Sequence, residues 1–551
     1  VDPEKALGGR VWDSYSWHTD LPPGHTMTCG HQTIEFDLAM AEQANMVICW
    51  GMNWISTKMP DAHWLTEARL KGTKVVTVAC EYQSTSNKAD KVIVVRPGSD
   101  PALALGLANV IMSENLYDVD FVKGHTDLPL LVRIDTLKLL KPEEVIPNYH
   151  NKVLQNTRML KEGEKAGLPI THEKQTVTDK LRQEWGDFVA WNTESKSLEA
   201  VTRDDAATAK SWALEGKFTV KTLDGKEVQV RPVFDLIKEH ASHFTPEAVS
   251  ELCHVDKDAI LWLAREIAKN KTKTLIAIGM GPNHFYNNDL KDRLTFLVCA
   301  LTKNIGFPGG NIGSYAGNYR GAYFNGLPTY LLEDPFHPEL DPAKTPKTKS
   351  YAKYESAHYF NYGDRPLRVG NKNFTGKSHM PTPTKTMWFS NGNSILGNLK
   401  WHHDVVMNTL PKIEMIVATD WWWTASCEYS DIAFGVDSWG EFKFPDMTAA
   451  VTNPFFQMFP KTPLKRLHDT RGDIEVLAGV GKALAAVTGD NRFIDYWKFV
   501  HEDNVEVYMQ RIADNSTALK GYNIKEVHEN AKKGIPALLM TRTYPKFMGH
   551  E

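Results

Sequence analysis

The sequence predicts an α/β protein built on two Rossmann-like, dinucleotide-binding parallel-sheet units. Three observations carry this expectation. Short apolar runs rich in Val and Ile stop at Gly, Asn or Asp, as buried parallel strands do at their carboxyl ends. Helical patterns follow these stops, and the alternation occurs in two stretches, 36–125 and 246–485. With 551 residues, 42% of them hydrophobic, the chain is long enough for several domains around a large core.

The opening segment, 1–35, carries Trp17-His18-Thr19-Asp20-Leu21-Pro22-Pro23 and then Thr28-Cys29-Gly30-His31. A carboxylate just before two prolines is displayed from an extended turn, since the rings exclude helix there. Taken alone, an Asp in that setting is a turn former or a cap as readily as a ligand.

The first unit, 36–125, starts with the strand Asn45–Trp50, which ends at Gly51-Met52-Asn53. A helix over Asp61–Leu70 stops at Gly72, and Lys74–Ala79 and Lys91–Val95 are the next strands. Pro97-Gly98-Ser99-Asp100 then leads into a helix from Pro101 to Met112. This βαβαβ order predicts a parallel sheet with ligands beyond its carboxyl ends. There Gly51 permits close backbone approach to a phosphate, Asn53 offers donors and an acceptor, Glu81 accepts ribose hydroxyls, and Asp100 suits the amine edge of guanine. Each also reads singly as a turn residue or helix cap.

Residues 126–245, rich in Lys, Glu and Thr, read as an inserted segment covering the sheet, with a hairpin at Asp224-Gly225 and packed structure around Trp185, Trp191 and Trp212. Thr245-Pro246 opens a helix that Asp256–Lys269 continues. The second unit, 246–485, has strands at Thr274–Ile278, Thr386–Phe389 and Glu414–Ala418, and helices at Leu290–Lys303 and near Lys400–Leu410. Gly279-Met280-Gly281-Pro282-Asn283-His284 opens like a dinucleotide loop, with His284 where a third glycine would stand. The glycine-rich loop Gly306–Asn311 is denser in glycine than a plain link needs, and 486–551 reads as a helical and loop extension.

The formal charge of −4 leaves no electrostatic footprint for nucleic acid. No apolar run approaches the roughly 20 residues that span a bilayer. The six cysteines are widely spread, with no Cys-x-x-Cys pair and no Cys/His cluster at zinc spacing, and offer neither an iron–sulfur set nor an obvious disulfide framework. The chain opens at Val1 without a charged-then-apolar leader and is expected to be an internal portion of a longer protein.

Asp20-Leu-Pro-Pro, Trp50-Gly-x-Asn53, Pro60-Asp-Ala-His63, Pro97-Gly-Ser-Asp100, Gly279-x-Gly-x-Asn283-His284 and Tyr429-Ser-Asp-Ile432 occur in the order found in catalytic subunits of membrane-bound nitrate reductases. The chain therefore resembles the molybdenum bis(molybdopterin guanine dinucleotide) superfamily, with the molybdopterin oxidoreductase fold, and within it nitrite oxidoreductase α subunits. The resemblance implies that Asp20 is the protein ligand to molybdenum, a hard oxygen donor for a high-valent metal. It implies that Trp50, Gly51, Asn53, Glu81, Gly98 and Asp100 hold one guanine dinucleotide. Gly279, Gly281, Asn283, His284, Asn391, Asp420, Ser430 and Asp431 would hold the other.

The chain departs from the family at His18, which stands where the nitrate reductases have an aromatic. His18 either donates to an oxyanion or supports the metal ligand from behind. Asn318 and Arg320 join it as candidates to orient the anion, Arg320 through its planar fork. The resemblance also implies a [4Fe-4S] cluster upstream of this portion, an iron–sulfur β subunit, and a haem or membrane-anchor subunit. It places the protein at a membrane through those partners, on the periplasmic side ahead of the cytoplasmic side. The implied reaction is oxygen-atom transfer from nitrite to nitrate, reversible as nitrate reduction. Perchlorate, chlorate or selenate reduction is the alternative, and an NAD-dependent dehydrogenase or a non-catalytic respiratory scaffold would share the fold pattern.

Overall fold

The computed structural model describes residues 24–25, 28, 38–151, 186–202, 208–285, 289–314, 367–369, 372–374, 385–397, 402–450, 455–495, 497–514, 521–535 and 539–540. These fall into two compact units, an amino-terminal one from 24 to 314 and a carboxy-terminal one from 367 to 540.

The amino-terminal unit is organised on five strands: β1 (Met46–Trp50), β2 (Lys74–Ala79), β3 (Lys91–Val94), β4 (Thr274–Ile278) and β5 (Asn311–Ser314). All are parallel, in the order β5-β4-β1-β2-β3. This is the doubly wound order, whose winding reverses between β1 and β4 and leaves a crevice at their carboxyl ends. Every residue of β1 and of β4 is buried, as the central strands of a two-sided sheet require. Met46, Ile48 and Trp50 join the core under the helices Asp100–Ser113, Lys257–Lys269 and Asp289–Leu301, while Val47 and Cys49 face the helix Ala62–Leu70.

The sequence reading puts Thr274–Ile278 at the head of the second unit, and the structure differs. Met46 lies opposite Thr274 and Trp50 opposite Ile278, so this strand completes the first sheet. A strand whose residues after Thr274 are all apolar must be covered on both faces, but those residues do not say which sheet it joins. The excursion at 126–245 separates partners that pair in space.

That excursion contains an antiparallel sheet of Lys138–Leu139, Leu131–Arg133, Glu227–Pro232 and Phe218–Lys221, in that order. Its hairpin turns at Asp224-Gly225, where Gly225 has φ +88°. Trp191 stacks on Phe218 at 4.3 Å and Trp212 is buried, in accord with the packed structure expected there; Trp185 lies outside the described residues. Phe234 of the helix Val233–Ala241 reaches the core of the five-stranded sheet. The Thr245 hydroxyl accepts from Ala248 N and the Asp256 carboxylate from Asp258 N, capping the helices Pro246–Cys253 and Lys257–Lys269.

The carboxy-terminal unit has a second parallel sheet, β6 (Thr386–Ser390), β7 (Met415–Asp420) and β8 (Ile432–Gly435), with β7 central. Beside it in sequence come the antiparallel strands Asp446–Ala450, Phe455–Phe459 and Leu539–Met540 and the helix Asp473–Thr488. The helix expected near Lys400–Leu410 is broken into His402–Asp404, a π-helical turn at Val405–Thr409 and a tight turn at Leu410–Lys412. Pro411 has no N–H to offer the carbonyl of Met407, so the helical ladder ends there.

Candidate functional site

At the carboxyl edge of the first sheet, Gly51 leaves β1 with φ +63° and its N–H donates to Val78 O at 2.7 Å. A Cβ there would sit 2.4 Å from Pro282 Cγ, and one on Gly279 would sit 1.9 Å from Gly51 O. The two glycines thus let the β1 and β4 loops touch backbone to backbone at the winding reversal. Two residues on, Asn53 precedes the short helix Trp54–Thr57. Its Oδ1 accepts from Ser84 Oγ at 2.7 Å, Thr85 N at 3.1 Å and Thr85 Oγ1 at 2.8 Å. Its Nδ2 has no partner among the described residues, so the carbonyl ties the loop to the β2 exit while the amide donor is left open. Glu81 is exposed at that exit.

The carboxy-terminal unit repeats this device. Asn391 leaves β6 with φ +51°, and its N–H donates to Thr419 O at 2.8 Å, as Gly51 does to Val78. Asn393 precedes the short helix Ser394–Gly397, and its Oδ1 accepts from Ser426 N at 3.2 Å and Ser426 Oγ at 3.3 Å. Its Nδ2 likewise has no partner among the described residues. At the opposite edge, Asp90 Oδ2 accepts Val75 N and Asp431 Oδ2 accepts Ile416 N, each at 2.7 Å. Gly51 with Asn391, Asn53 with Asn393, Thr85 with Ser426 and Asp90 with Asp431 correspond at a nearly constant spacing along the chain. The two parallel sheets are one motif used twice.

The repeat sorts the residues expected from sequence. Gly51, Asn53, Glu81, Gly98, Gly279, Gly281 and His284 share the carboxyl edge of the first sheet, with Phe285 Cβ 3.5 Å from where a Gly98 Cβ would stand. Trp50 and Asp100 are there too but turned inward, the indole N–H donating to Asp100 Oδ1 at 2.8 Å with both residues buried. Asn283 is also buried, and its Oδ1 accepts Lys291 Nζ at 2.9 Å. Gly279 to His284 are thereby grouped with Gly51, and not with Asn391 and Asp420 as the sequence reading had them. Asp420 ends β7 at the carboxyl edge of the second sheet and accepts Trp421 N at 2.7 Å.

Ser430 and Asp431 precede β8, and in a parallel sheet that is the amino edge, away from Asn391 and Asp420. Their sequence nearness to β7 concealed this, because a short crossover returns the chain to the sheet's other end. The loop Gly306–Asn311 also lies at an amino edge, where a Cβ on Gly309 would meet Gln43 O at 2.4 Å and one on Gly310 Thr272 C at 2.2 Å; its glycines serve close packing. Asn393 is the residue the sequence reading passed over, although the match of Trp50-Gly-x-Asn53 to Ser390-Asn-Gly-Asn393 signals it. His18, Asp20, Asn318 and Arg320 lie outside the described residues.

Among the described residues no group of three or more His, Cys, Asp or Glu forms a metal site. What the two edges offer is an open amide donor beside a tight loop, with an exposed carboxylate at the first. That chemistry suits the phosphates and ribose hydroxyls of a nucleotide.

The family model for molybdopterin oxidoreductases matches residues 4–457. The chain is 29% identical over 495 residues to the perchlorate reductase subunit alpha of Dechloromonas aromatica (strain RCB), covering 86% of this chain and 50% of the relative. It is 29% identical over 532 residues to the respiratory nitrate reductase subunit alpha of Haloferax mediterranei, covering 94% of this chain and 51% of the relative. The chain thus spans about half the length of these relatives. The solved structure of acetylene hydratase from Pelobacter acetylenicus superposes with a TM-score of 0.48 at 14% identity, over 95% of this chain and 55% of its own.

Proposed function

Because the chain belongs to the molybdopterin oxidoreductase family, we propose that it is the catalytic α-subunit portion of a molybdenum enzyme that oxidises nitrite to nitrate. The observation that carries the cofactor part of this reading is the twin device, Asn53 and Asn393 each with a fixed carbonyl and an open amide. One molybdopterin guanine dinucleotide is assigned to each parallel sheet, held by Asn53 and Glu81 at the first and by Asn391, Asn393 and Asp420 at the second. Bound there, the cofactor would supply two-electron oxygen-atom exchange, in which nitrite gains an oxygen from water and two protons and two electrons are released.

The chain's own residues then have distinct tasks. Asp20 is the proposed metal ligand, displayed by the Leu-Pro-Pro turn. His18 donates a hydrogen bond to the oxyanion, and Asn318 and Arg320 orient it. The tight Gly51–Gly279 contact holds the first loop against its neighbour, so Asn53 keeps its direction without relying on the ligand. An iron–sulfur β subunit and a haem or membrane-anchor subunit receive the electrons. Among the described residues no helix is long and apolar enough to cross a membrane, so membrane attachment is assigned to those partners.

The names of the relatives favour a second reading, reduction of nitrate or perchlorate by the same centre. Steady-state assays of the native complex with nitrite, nitrate, perchlorate, chlorate and selenate separate the two. The first reading expects the highest kcat/KM with nitrite as electron donor. Turnover of nitrate, perchlorate or selenate with no oxidation of nitrite would replace it.

A further inference from the structure

The carboxyl edge of the second sheet also carries a pair of rings. Trp421 follows β7 and Trp439 follows β8, and their rings meet edge-on at 5.3 Å. Both are open to solvent, Trp439 at 77% and Trp421 at 45%. An exposed indole is ordinarily free to turn, but this pair is held from behind. The Trp421 indole N–H donates to Asp437 O at 2.7 Å, and Asp437 is 0% exposed. Arg466 Nε donates to Asp437 Oδ1 at 2.8 Å and Nη2 to Oδ2 at 2.6 Å, while the Thr470 hydroxyl donates to Oδ1 at 2.7 Å. Asp437 N donates to Arg471 O at 2.9 Å, so every polar atom of the residue is engaged. Arg466 Nη2 also reaches Glu475, whose carboxylate accepts Gly472 N at 2.8 Å at the start of the helix Asp473–Thr488. In the first turn of that helix Asp473 Oδ1 accepts Asn391 Nδ2 at 2.7 Å. One guanidinium thereby ties together the exits of β6, β7 and β8.

Burying a carboxylate is costly even when it is paired, so stability alone is a poor reason for such a network. What a fully satisfied network supplies is a single direction for the groups it holds. Here those groups are exposed rings, and the first sheet offers a comparison. Val95 N donates to Ala79 O at 2.9 Å and Val436 N to Asp420 O at 3.3 Å, so the repeat stays in register past β3 and β8. Three residues further on stand Gly98 in one copy and Trp439 in the other. Glycine at 98 leaves room for Phe285, itself 40% exposed, whose Cβ lies 3.5 Å from where a Gly98 Cβ would be. An exposed ring thus occurs at this place in both copies, supplied by different parts of the chain. Core packing does not require that, because neither ring is buried. A flat ligand at each edge does.

We propose that the Trp421–Trp439 pair, with Phe285 as its counterpart at the first sheet, is the wall on which the base of a bound guanine nucleotide stacks, and that Arg466 is the positioning residue that holds the pair. The open amides of Asn53 and Asn393 are left for sugar and phosphate, and the rings take the base, whose π-face suits an aromatic platform. The wall rests on the reading that each parallel sheet holds one guanine dinucleotide.

The test follows the molybdenum and guanine nucleotide that stay with the protein during prolonged incubation of the native complex, the nucleotide being measured as GMP released by hot acid. Trp439→Leu and Arg466→Met are each expected to lose both at least about fivefold faster than wild type. Trp439→Phe keeps a ring and is expected to stay within about twofold of wild type, a rescue that altered packing alone would not give. Arg466→Lys keeps the charge but not the planar fork, and is expected to fall with Arg466→Met; it carries the test if the methionine variant does not fold. Trp439→Leu combined with Arg466→Lys is expected to lose the cofactor more slowly than the two single effects multiplied, because Arg466 acts through the rings. Retention at the wild-type rate in Trp439→Leu overturns the wall, as does equal loss in Trp439→Phe and Trp439→Leu. Effects of Arg466→Lys and Trp439→Leu that multiply in full make Arg466 ordinary packing and overturn its positioning role. Wild-type protein without guanine nucleotide would overturn the functional reading and the wall together, whereas two guanines for each molybdenum with an unaffected Trp439→Leu would overturn the wall alone.

Discussion

Asn53 separates two duties that a single side chain performs, and substitution can part them. Asn53→Asp keeps the oxygen that accepts from Ser84 and Thr85 but replaces the open donor with a second acceptor. Stability is expected to change by no more than about 1 kcal/mol, while cofactor affinity falls roughly tenfold or more, the worth of a hydrogen bond to a charged group. Asn53→Ala removes both duties and should cost about 1–3 kcal/mol in addition, because a buried donor loses its acceptor. Denaturant melts and molybdenum analysis of both variants check this. Gly279→Ala forces a Cβ to within 1.9 Å of Gly51 O, a backbone atom that cannot yield. A loss of about 3 kcal/mol or more is expected, from overpacking that no rotamer relieves. The cysteines make a separate test. Burial pushes the Cys49 thiol up to about 12, whereas Cys80 is exposed at the end of β2. At pH 8 alkylation should therefore modify Cys80 rapidly and reach Cys49 only on unfolding, as peptide mapping by mass would show.

At the scale of elements, the strands were the most legible part of the sequence. Lys74–Ala79 and Thr274–Ile278 are found at the residues expected, because each is a β-rich apolar run between strong turn formers. Local pattern did not tell at which end of a strand a neighbouring polar residue sits. Asp431 looked like a ligand beside Asp420, yet its carboxylate accepts Ile416 N at the amino edge, as that of Asp90 accepts Val75 N. These two carboxylates hold the entry of an outer strand to its neighbour. Asp90→Ala and Asp431→Ala should each cost about 1–3 kcal/mol and leave cofactor content per folded molecule unchanged. A loss of molybdenum from folded Asp431→Ala protein would return that residue to the binding site.

For the whole molecule, two parallel sheets follow from the sequence and are present, but the assignment of strands to them is a long-range property. The strand at 274–278 pairs across the 126–245 excursion with 46–50, and only the three-dimensional order β5-β4-β1-β2-β3 reveals the winding reversal where Gly51 meets Gly279. The repeat of the asparagine device is likewise weak in sequence, since a few residues at wide spacing carry it, and plain in hydrogen bonds. It leads to the central claim, that each sheet holds one guanine dinucleotide of a molybdenum cofactor. The most direct test is to hydrolyse the purified native protein in hot acid, which splits the pyrophosphate of a guanine dinucleotide, and measure molybdenum and released GMP against protein. The account predicts about two guanine nucleotides for each molybdenum, with Asn53→Asp and Asn393→Asp each lowering both quantities. Absence of molybdenum and guanine nucleotide from catalytically active protein would contradict it.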